Sequence, residues 1–250
     1  ALKVTFYTVI PVALVYGAVL FADRVRNWGR GTPDDRSTTG SNVKRRFTSF
    51  RTGVYMQTLL REPAAGVMHS LIYFPFLILL AVTTILEINH QVPEGVKFLH
   101  GDTYRAYTAV GDLAGLLFLA GVVWALIRRY GPRRFRPYRI RIKSKPEHAA
   151  VLLVFLAIGV TGFGAEAFRI ALTDVGSRGA ETWSVVGYPL AKVVDRIGPF
   201  TDHVHGWHQA WWVAHVVSFM AFLVLLPITM IRHMFTSPLN MYLQDRDRPK

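Results

Sequence analysis

Five long apolar stretches constrain the fold of this 250-residue chain more than any other feature. Each is close to the roughly 20 residues that a helix needs to cross a hydrocarbon core of about 30 Å. A backbone in that core must satisfy its own hydrogen bonds, which a helix achieves within one segment. The sequence therefore predicts an all-α integral membrane protein, a bundle of five transmembrane helices at about Val4–Ala22, Gly66–Asn89, Thr108–Ile127, His148–Leu172 and Gln209–Ile231.

The basic residues are separated from these stretches. The chain has 29 Lys and Arg against 16 Asp and Glu, and 22 of the 29 lie in segments 23–62, 128–147 and 232–250. These segments share one side of a five-helix bundle, so the positive-inside rule predicts an outer N-terminus and a cytoplasmic C-terminus. Membrane orientation, with contacts to anionic membrane lipid or an acidic partner, explains this charge. No nucleic-acid recognition module surrounds the arginines, so we expect no nucleic-acid partner.

The sequence contains no cysteine. This excludes disulfides, thiolate zinc sites, iron–sulfur ligation and cysteine nucleophiles within these residues. Nine histidines remain as candidate metal ligands.

The spacing of four histidines is the main functional signal. His215 and His233 are 18 residues apart at the two ends of the fifth stretch. In an unbroken helix, both imidazoles share one face and lie about 27 Å apart. His69 and His90 lie about 31 Å apart at the two ends of the second stretch, on broadly one face. Two helices that each offer one His at each membrane level can hold two b-type haems, because haem iron takes axial ligands from both sides.

Taken singly, several of these histidines have structural explanations. His90 lies at a helix end, where an interfacial imidazole needs no ligand, and a cation such as His233 suits the C-terminal end of a helix. His215 lies inside an apolar run, where an unpaired polar group is costly, so a function is favoured there. The joint spacing favours the two-haem hypothesis more than any single residue does.

Two segments also resemble a known family. The run from Trp211 to Leu243, with His215, Pro227, His233 and the following Phe-Thr-Ser-Pro-Leu-Asn, resembles the last helix of the nitrate reductase gamma-subunit-like di-haem cytochromes b. The Gly-Val-Met-His that ends at His69 resembles the opening of that family's second helix. The chain is most similar to the membrane domain of heterodisulfide-reductase-related iron–sulfur proteins, such as the electron-transfer-flavoprotein:menaquinone oxidoreductases.

The resemblance implies a di-haem b membrane subunit or domain of a respiratory oxidoreductase in a prokaryotic cytoplasmic membrane. Such a protein transfers electrons between a cytoplasmic iron–sulfur module and a membrane quinone, here menaquinone, with a flavoprotein as the expected donor. It implies that His69 and His233 ligate the inner haem and that His215 ligates the outer haem. We expect residues 1–250 to form one membrane domain. The iron–sulfur clusters must then lie in another chain or in a continuation beyond Lys250, because this sequence has no cysteine.

The second ligand of the outer haem is where the sequence departs from the family. The nitrate reductase branch places a second His ten residues after the first, and that position is Leu79 here. We nominate His90, which is the other His of the second stretch. The alternatives that stay open are His100, His203, His205 and His208.

Acidic residues at membrane depth are by default candidates for proton handling. Glu87, Asp112 and Glu166 map to the outer halves of their stretches, where the resemblance places the quinone site. Glu166 could instead pair with Arg169 three residues later, and Asp112 could pair with a neighbour. Glu87, Glu166 and His208 are therefore candidate quinone or proton residues.

Two other functions are compatible with the same residues. One is a haem-free transporter in which histidines and acids form a proton path. The other is a structural anchor whose basic loops tether a cytoplasmic partner. The sequence also predicts a short helix in the outer interface within residues 180–200, which is less polar than the other loops. Its apolar residues are Trp183, Val186, Tyr188, Leu190, Val193, Val194 and Ile197.

Overall fold

The computed structural model is helical throughout the part of the chain that it describes, with no β-strand in that part. It describes residues 2–31, 40–55, 57, 59–135, 137, 144–173 and 181–243. The α-helices are α1 (Leu2–Trp28), α2 (Gly40–Val54), α3 (Pro63–Gln91), α4 (Gly101–Tyr130), α5 (Pro146–Leu172), α6 (Gly187–Asp195), α7 (Gly198–Thr201), α8 (Val204–Ile228) and α9 (His233–Leu243). Single 3₁₀ turns lie at Leu59–Arg61, Glu94–Val96, Arg133–Phe135, Glu181–Trp183 and Met230–Arg232.

Five of these helices are long and apolar enough to cross a membrane: α1, α3, α4, α5 and α8. They match the five predicted stretches, four of them in full, so the predicted all-α fold with five spans is confirmed. The orientation of the termini stays a prediction. Most of them extend a few residues beyond the apolar runs. Pro63 and Pro146 occupy the first positions of α3 and α5, where a missing N–H costs nothing because the first turn has no carbonyl partner for it.

One predicted boundary is wrong, and it affects the histidine geometry. The fifth stretch does not form one helix through Ile231, because α8 ends at Ile228. Thr229 leaves helical geometry with φ −106° and ψ −174°, and its side chain accepts a hydrogen bond from the Ile231 amide at 3.3 Å. The Met230 amide donates to the Glu147 carboxylate instead of continuing the helix. His233 therefore begins a separate helix, so the unbroken helix assumed in the 27 Å calculation does not extend to it.

The two prolines inside the proposed haem helices behave differently. Pro75 lies within α3, which continues for 16 more residues to Gln91. Pro227 lies in the last turn of α8, immediately before the extended Thr229. A proline removes one helical hydrogen bond in either position. Helix α3 continues past Pro75, but α8 ends after Pro227, where the hydroxyl of Thr229 caps the following 3₁₀ turn.

The chain divides into two compact units. The first contains Ala1–Val67, Pro146–Val151 and Met220–Lys250, and the second contains Met68–Lys145 and Leu152–Phe219. In the described part of the first unit, α2 packs on α9, where Gly53 faces the Met241 side chain. Phe21 of α1 meets Phe235 of α9 with ring centroids 6.0 Å apart.

The core of the second unit lies between α3, α4 and α5. Phe76, Phe118 and Phe155, one from each helix, form a ring cluster with centroids 5.6–6.3 Å apart. Phe118 is 1% exposed and the neighbouring Val122 is fully buried. Gly121 allows α4 to approach α3, since an added Cβ would lie 2.9 Å from the carbonyl carbon of Leu71. Such close approach through small residues is how helices associate in lipid, where burial from water contributes little.

Candidate functional site

His215 is held against α5 by hydrogen bonds to one of its ring nitrogens. Its Nδ1 lies 3.1 Å from the carbonyl oxygen of Ile158 and 3.1 Å from Oγ1 of Thr161. Thr161 donates its own hydroxyl proton to the carbonyl of Ala157, so it can only accept from the imidazole. The ring rests on Gly162, where an added Cβ would lie 3.3 Å from Cε1. Two acceptors and a glycine thus fix this ring in one orientation.

These contacts determine the tautomer of His215. A carbonyl oxygen accepts and never donates, so Nδ1 carries the proton in this hydrogen bond. The lone pair of the neutral ring is then on Nε2, which is the nitrogen left to bind a metal. Metal-ligating histidines in proteins show this pattern, in which the second ring nitrogen donates to a carbonyl or carboxylate.

His233 has the same arrangement in the first unit. Its Nδ1 lies 2.6 Å from the carbonyl oxygen of Met230, and the residue is exposed in the first turn of α9. Met230 belongs to the 3₁₀ turn Met230–Arg232, which directly precedes α9, so its carbonyl oxygen lies beside the His233 ring. Its Nε2 therefore carries the lone pair in the neutral ring, as in His215.

The other two proposed ligands lie at opposite ends of α3. His69 is half-buried near its start, with its ring 6.5 Å from that of Tyr73, and His90 is exposed in the last turn. His69, His90 and His215 belong to the second unit and His233 to the first. The pairing of His69 with His233, and of His90 with His215, stays a prediction.

The four alternative ligands of the outer haem differ in exposure. His100, which precedes α4, is exposed, and so are His203 and His205 around the start of α8. His208 is half-buried two turns before His215 in the same helix.

The predicted ligands can be compared with what a haem and a bare metal ion each require from the protein. Within the described ranges, no group of three or more His, Asp or Glu side chains is placed to hold an ion. A haem needs only axial ligands from the protein, because the porphyrin fills the other four positions on iron. A single imidazole with an anchored Nδ1 and an available Nε2, such as His215, suits that requirement.

A cluster of acidic and hydroxyl side chains joins α4, α5 and α6 in the second unit. Asp112 of α4 is 2% exposed, and its Oδ2 accepts from the Ser184 hydroxyl at 2.8 Å. The same oxygen accepts from the backbone amides of Val186 and Gly187 at 2.6 and 3.0 Å. Asp112 thus holds the start of α6 and satisfies amides that have no carbonyl partner within that helix.

Glu166 of α5 reaches the same serine. Its Oε1 lies 3.3 Å from Ser184 Oγ and 3.9 Å from Nη2 of Arg169. Ser184 donates towards both carboxylates, so its single hydroxyl proton is shared between them. The bond to Asp112 is the shorter one.

Arg169 interacts more closely with a residue that the sequence did not indicate. It donates from both terminal nitrogens to Glu181, at 3.1 and 3.3 Å, and Glu181 is 7% exposed. Tyr104 of α4 also donates to Glu181, at 3.2 Å. The predicted alternative for Glu166, a pair with Arg169, is present but long, and the bidentate pair with Glu181 is the principal one.

The remaining acidic candidate, Glu87, is half-buried in α3, and its Oε1 accepts from the side-chain amide of Gln91 at 2.6 Å. Three residues of the site escaped sequence analysis: Thr161, Glu181 and Ser184. The partners described above lie 12 to 77 positions away, and neither spacing nor residue type indicates such contacts.

Comparison with known proteins gives two relatives at low identity. The chain is 28% identical over 195 residues to an "EtfAB:quinone oxidoreductase" of Syntrophomonas wolfei, which covers 75% of this chain and 26% of that protein. It is 24% identical over 184 residues to a "Probable iron-sulfur-binding oxidoreductase FadF" of Bacillus subtilis, covering 74% and 24% respectively. No family model and no solved structure matches. The chain is thus related to oxidoreductases and spans about a quarter of the length of these curated relatives.

Proposed function

We propose that this chain is the di-haem b membrane part of a quinone-linked respiratory oxidoreductase. The observation that carries the proposal is the orientation of His215. Its Nδ1 donates to the Ile158 carbonyl and the Thr161 hydroxyl, inside a helix apolar enough to span a membrane. An imidazole at that depth with its lone pair on Nε2 is suited to an axial position on haem iron.

The proposed ligands are His69 and His233 for one haem, and His90 and His215 for the other. When bound, the haems supply one-electron redox chemistry, and this chain supplies ligation and orientation. His233 supports the assignment because it repeats the Nδ1-to-carbonyl hydrogen bond of His215. Helix α3 supports it by offering one His at each end.

The carboxyl cluster near Ser184 is the proposed place for proton handling at the quinone. A quinone takes up or releases protons with its electrons, so its site needs a group that exchanges them. We assign this to Glu166, whose carboxyl group accepts a long hydrogen bond from Ser184 and lies 3.9 Å from the Arg169 guanidinium. Glu87 and His208 are half-buried and remain candidates. Asp112 is assigned instead to structure, because three donors already occupy its Oδ2.

The proposed partners follow from the names of the relatives and from composition. One relative is named for a quinone and for EtfAB, and the other for iron–sulfur binding. This sequence has no cysteine, so any cluster takes its ligands from outside these 250 residues. We propose an iron–sulfur module on the cytoplasmic side, with a flavoprotein donor and menaquinone as acceptor, in a bacterial cytoplasmic membrane.

Single replacement of each proposed ligand tests the assignment. In the purified protein, the haem-to-protein ratio should fall by one in each of four variants: His69→Ala, His90→Ala, His215→Ala and His233→Ala. His148→Ala is the matched control, since His148 lies in the first turn of α5 and is not a proposed ligand. It should keep both haems.

Two outcomes would change the proposal. If the His90 variant keeps both haems, the second outer ligand is one of the alternatives His100, His203, His205 and His208. If His215→Ala keeps both haems with unchanged spectra, the proposed haem site is wrong. A haem-free protein that conducts protons would favour the transporter hypothesis instead.

A further inference from the structure

Helix α2 has a composition suited to a membrane surface. Its 15 residues include one Lys and three Arg and no acidic residue. Val43, Phe47, Phe50 and Val54 recur at intervals of four, three and four, so they form one apolar stripe along the helix. A basic helix with an apolar stripe lies readily at the interface of an anionic membrane.

The packing of α2 on α9 leaves much of this stripe uncovered. Ser49 is 5% exposed and Gly53 faces Met241, so this side of α2 is used against α9. Phe47 remains 61% exposed and Val43 42% exposed. Both helices belong to the first unit, so their packing is defined within one compact body.

A groove lies between the two helices beside the exposed stripe. It has a volume of about 380 Å³ and is lined by Phe47, Phe50, Pro238, Leu239 and Tyr242. Its wall presents only apolar atoms, since the hydroxyl of Tyr242 does not contribute to it. A peptide bound there would leave its backbone amides and carbonyls without hydrogen bonds, which is costly. A hydrocarbon chain has no hydrogen bonds to lose in such a groove.

Three cations flank the aromatic residues of the groove at helical spacing. Arg46 precedes Phe50 by four residues, Arg51 follows Phe47 by four, and Lys44 precedes Phe47 by three. Residues at these spacings are neighbours on a helix surface. Lys44 and Arg51 are exposed and Arg46 is half-buried. Positive charge therefore lies beside an apolar groove, which is the complement of an anionic headgroup joined to an acyl chain.

We propose that this groove, named here the α2–α9 groove, binds one acyl chain of an anionic phospholipid. Lys44 and Arg51 lie on one flank of the apolar stripe and hold the headgroup phosphate, and Arg46 adds positive charge on the other flank. The inference is independent of haem and quinone, because it rests on α2 and α9 alone. A quinone tail is a poorer occupant, since the cations would then have no anion and the quinone oxygens would meet an apolar wall.

Photolabelling of the purified full chain in detergent micelles tests the proposal. The probes are phosphatidylglycerol and phosphatidylcholine, each with a photoreactive diazirine on one acyl chain, and labelled peptides are mapped by mass spectrometry. The phosphatidylglycerol probe should label the residues that line the groove, and the phosphatidylcholine probe should label them several-fold less. Basic residues near a membrane surface attract anionic lipid, so the triple variant K44Q/R46Q/R51Q, which loses three positive charges, should lower labelling by at least about tenfold.

A control for net charge removes three arginines that lie outside α2. The triple variant R129Q/R133Q/R134Q changes the net charge equally but lies in the second unit, and it should label like the wild type. Phe47→Ala removes part of the wall and should weaken labelling by both probes. Equal labelling by the two probes, or undiminished labelling of K44Q/R46Q/R51Q, would overturn the proposal. So would displacement of the probe by a quinone but not by unlabelled phosphatidylglycerol.

Discussion

The most informative stability prediction concerns Asp112. This carboxylate is 2% exposed and accepts three hydrogen bonds on one oxygen, from the Ser184 hydroxyl and the amides of Val186 and Gly187. Ser184 is fully buried and Gly187 is buried, so water does not replace the lost acceptor. Leaving a buried donor unsatisfied costs about 1–3 kcal/mol each. With two amides left unsatisfied at the start of α6, we expect Asp112→Ala to lower the free energy of unfolding by about 2–6 kcal/mol.

Asp112→Asn is the matched control. The amide side chain keeps one carbonyl oxygen, so it can still accept from the backbone of α6, but it loses the negative charge at the helix start. We expect it to cost about 1–2 kcal/mol, because charged acceptors form stronger hydrogen bonds than neutral ones. The assay is SDS-induced unfolding in mixed micelles, followed by far-UV circular dichroism.

The comparison of the two variants also separates structure from proton transfer. Since Asp112 is assigned to structure, Asp112→Asn should keep quinone turnover close to that of the wild type. The reasoning is refuted if Asp112→Ala unfolds within about 1 kcal/mol of the wild type. It is equally refuted if Asp112→Asn is stable but loses quinone turnover, because the carboxyl group would then carry protons.

Three further predictions address the remaining features. Thr161→Val removes one of the two acceptors of the His215 Nδ1 proton. Redox titration should then show a shifted midpoint potential for one haem and an unchanged potential for the other. Two unchanged potentials would contradict the ligand role of His215. Gly121→Ala should cost about 1–3 kcal/mol, because its Cβ would meet the Leu71 backbone at 2.9 Å. In the same micelle assay, Gly111→Ala should be neutral or slightly stabilising, since its nearest neighbour is at 3.5 Å, and equal effects would contradict the packing. Glu166→Gln should slow quinone turnover several-fold with haem content unchanged, and an unchanged rate would exclude Glu166 as the proton group.

The helices were predictable because lipid imposes length and composition on every segment that crosses it. Helices α3, α4, α5 and α8 follow from their apolar runs, and the starts of α3 and α5 follow also from Pro63 and Pro146. The end of α8 was not predictable in this way. Apolar residues continue through Ile231, and only the local hydrogen bonds of Thr229 and Glu147 end the helix at Ile228.

The site was predictable only in part, because its side-chain contacts depend on how the helices pack. His215 was identified because a polar side chain in an apolar run needs a partner. That partner, the pair of Ile158 and Thr161, lies more than 50 residues away in α5 and depends on how the helices pack. The role of Ser184 also depends on packing, because it joins Asp112 and Glu166, which the sequence identified separately.

In the segment 180–200, the short helix was predictable from the sequence, but the contact that holds it was not. Its apolar residues predicted a short helix, and α6 forms at Gly187–Asp195. Ala191 and Val194 bury one face of this helix within the second unit, while Val193 is 53% exposed. The prediction that α6 lies in a membrane interface stays a prediction. The hydrogen bonds of Asp112 to the first turn of α6 were not indicated by any local pattern.

The central claim is that this chain carries haem, and one measurement tests it most directly. The purified wild-type protein is reduced with dithionite, its difference spectrum against the oxidised form is recorded, and haem is extracted and quantified per chain. The account predicts a b-type spectrum and two haems per chain. The absence of a b-type signal together with no extractable haem would contradict it.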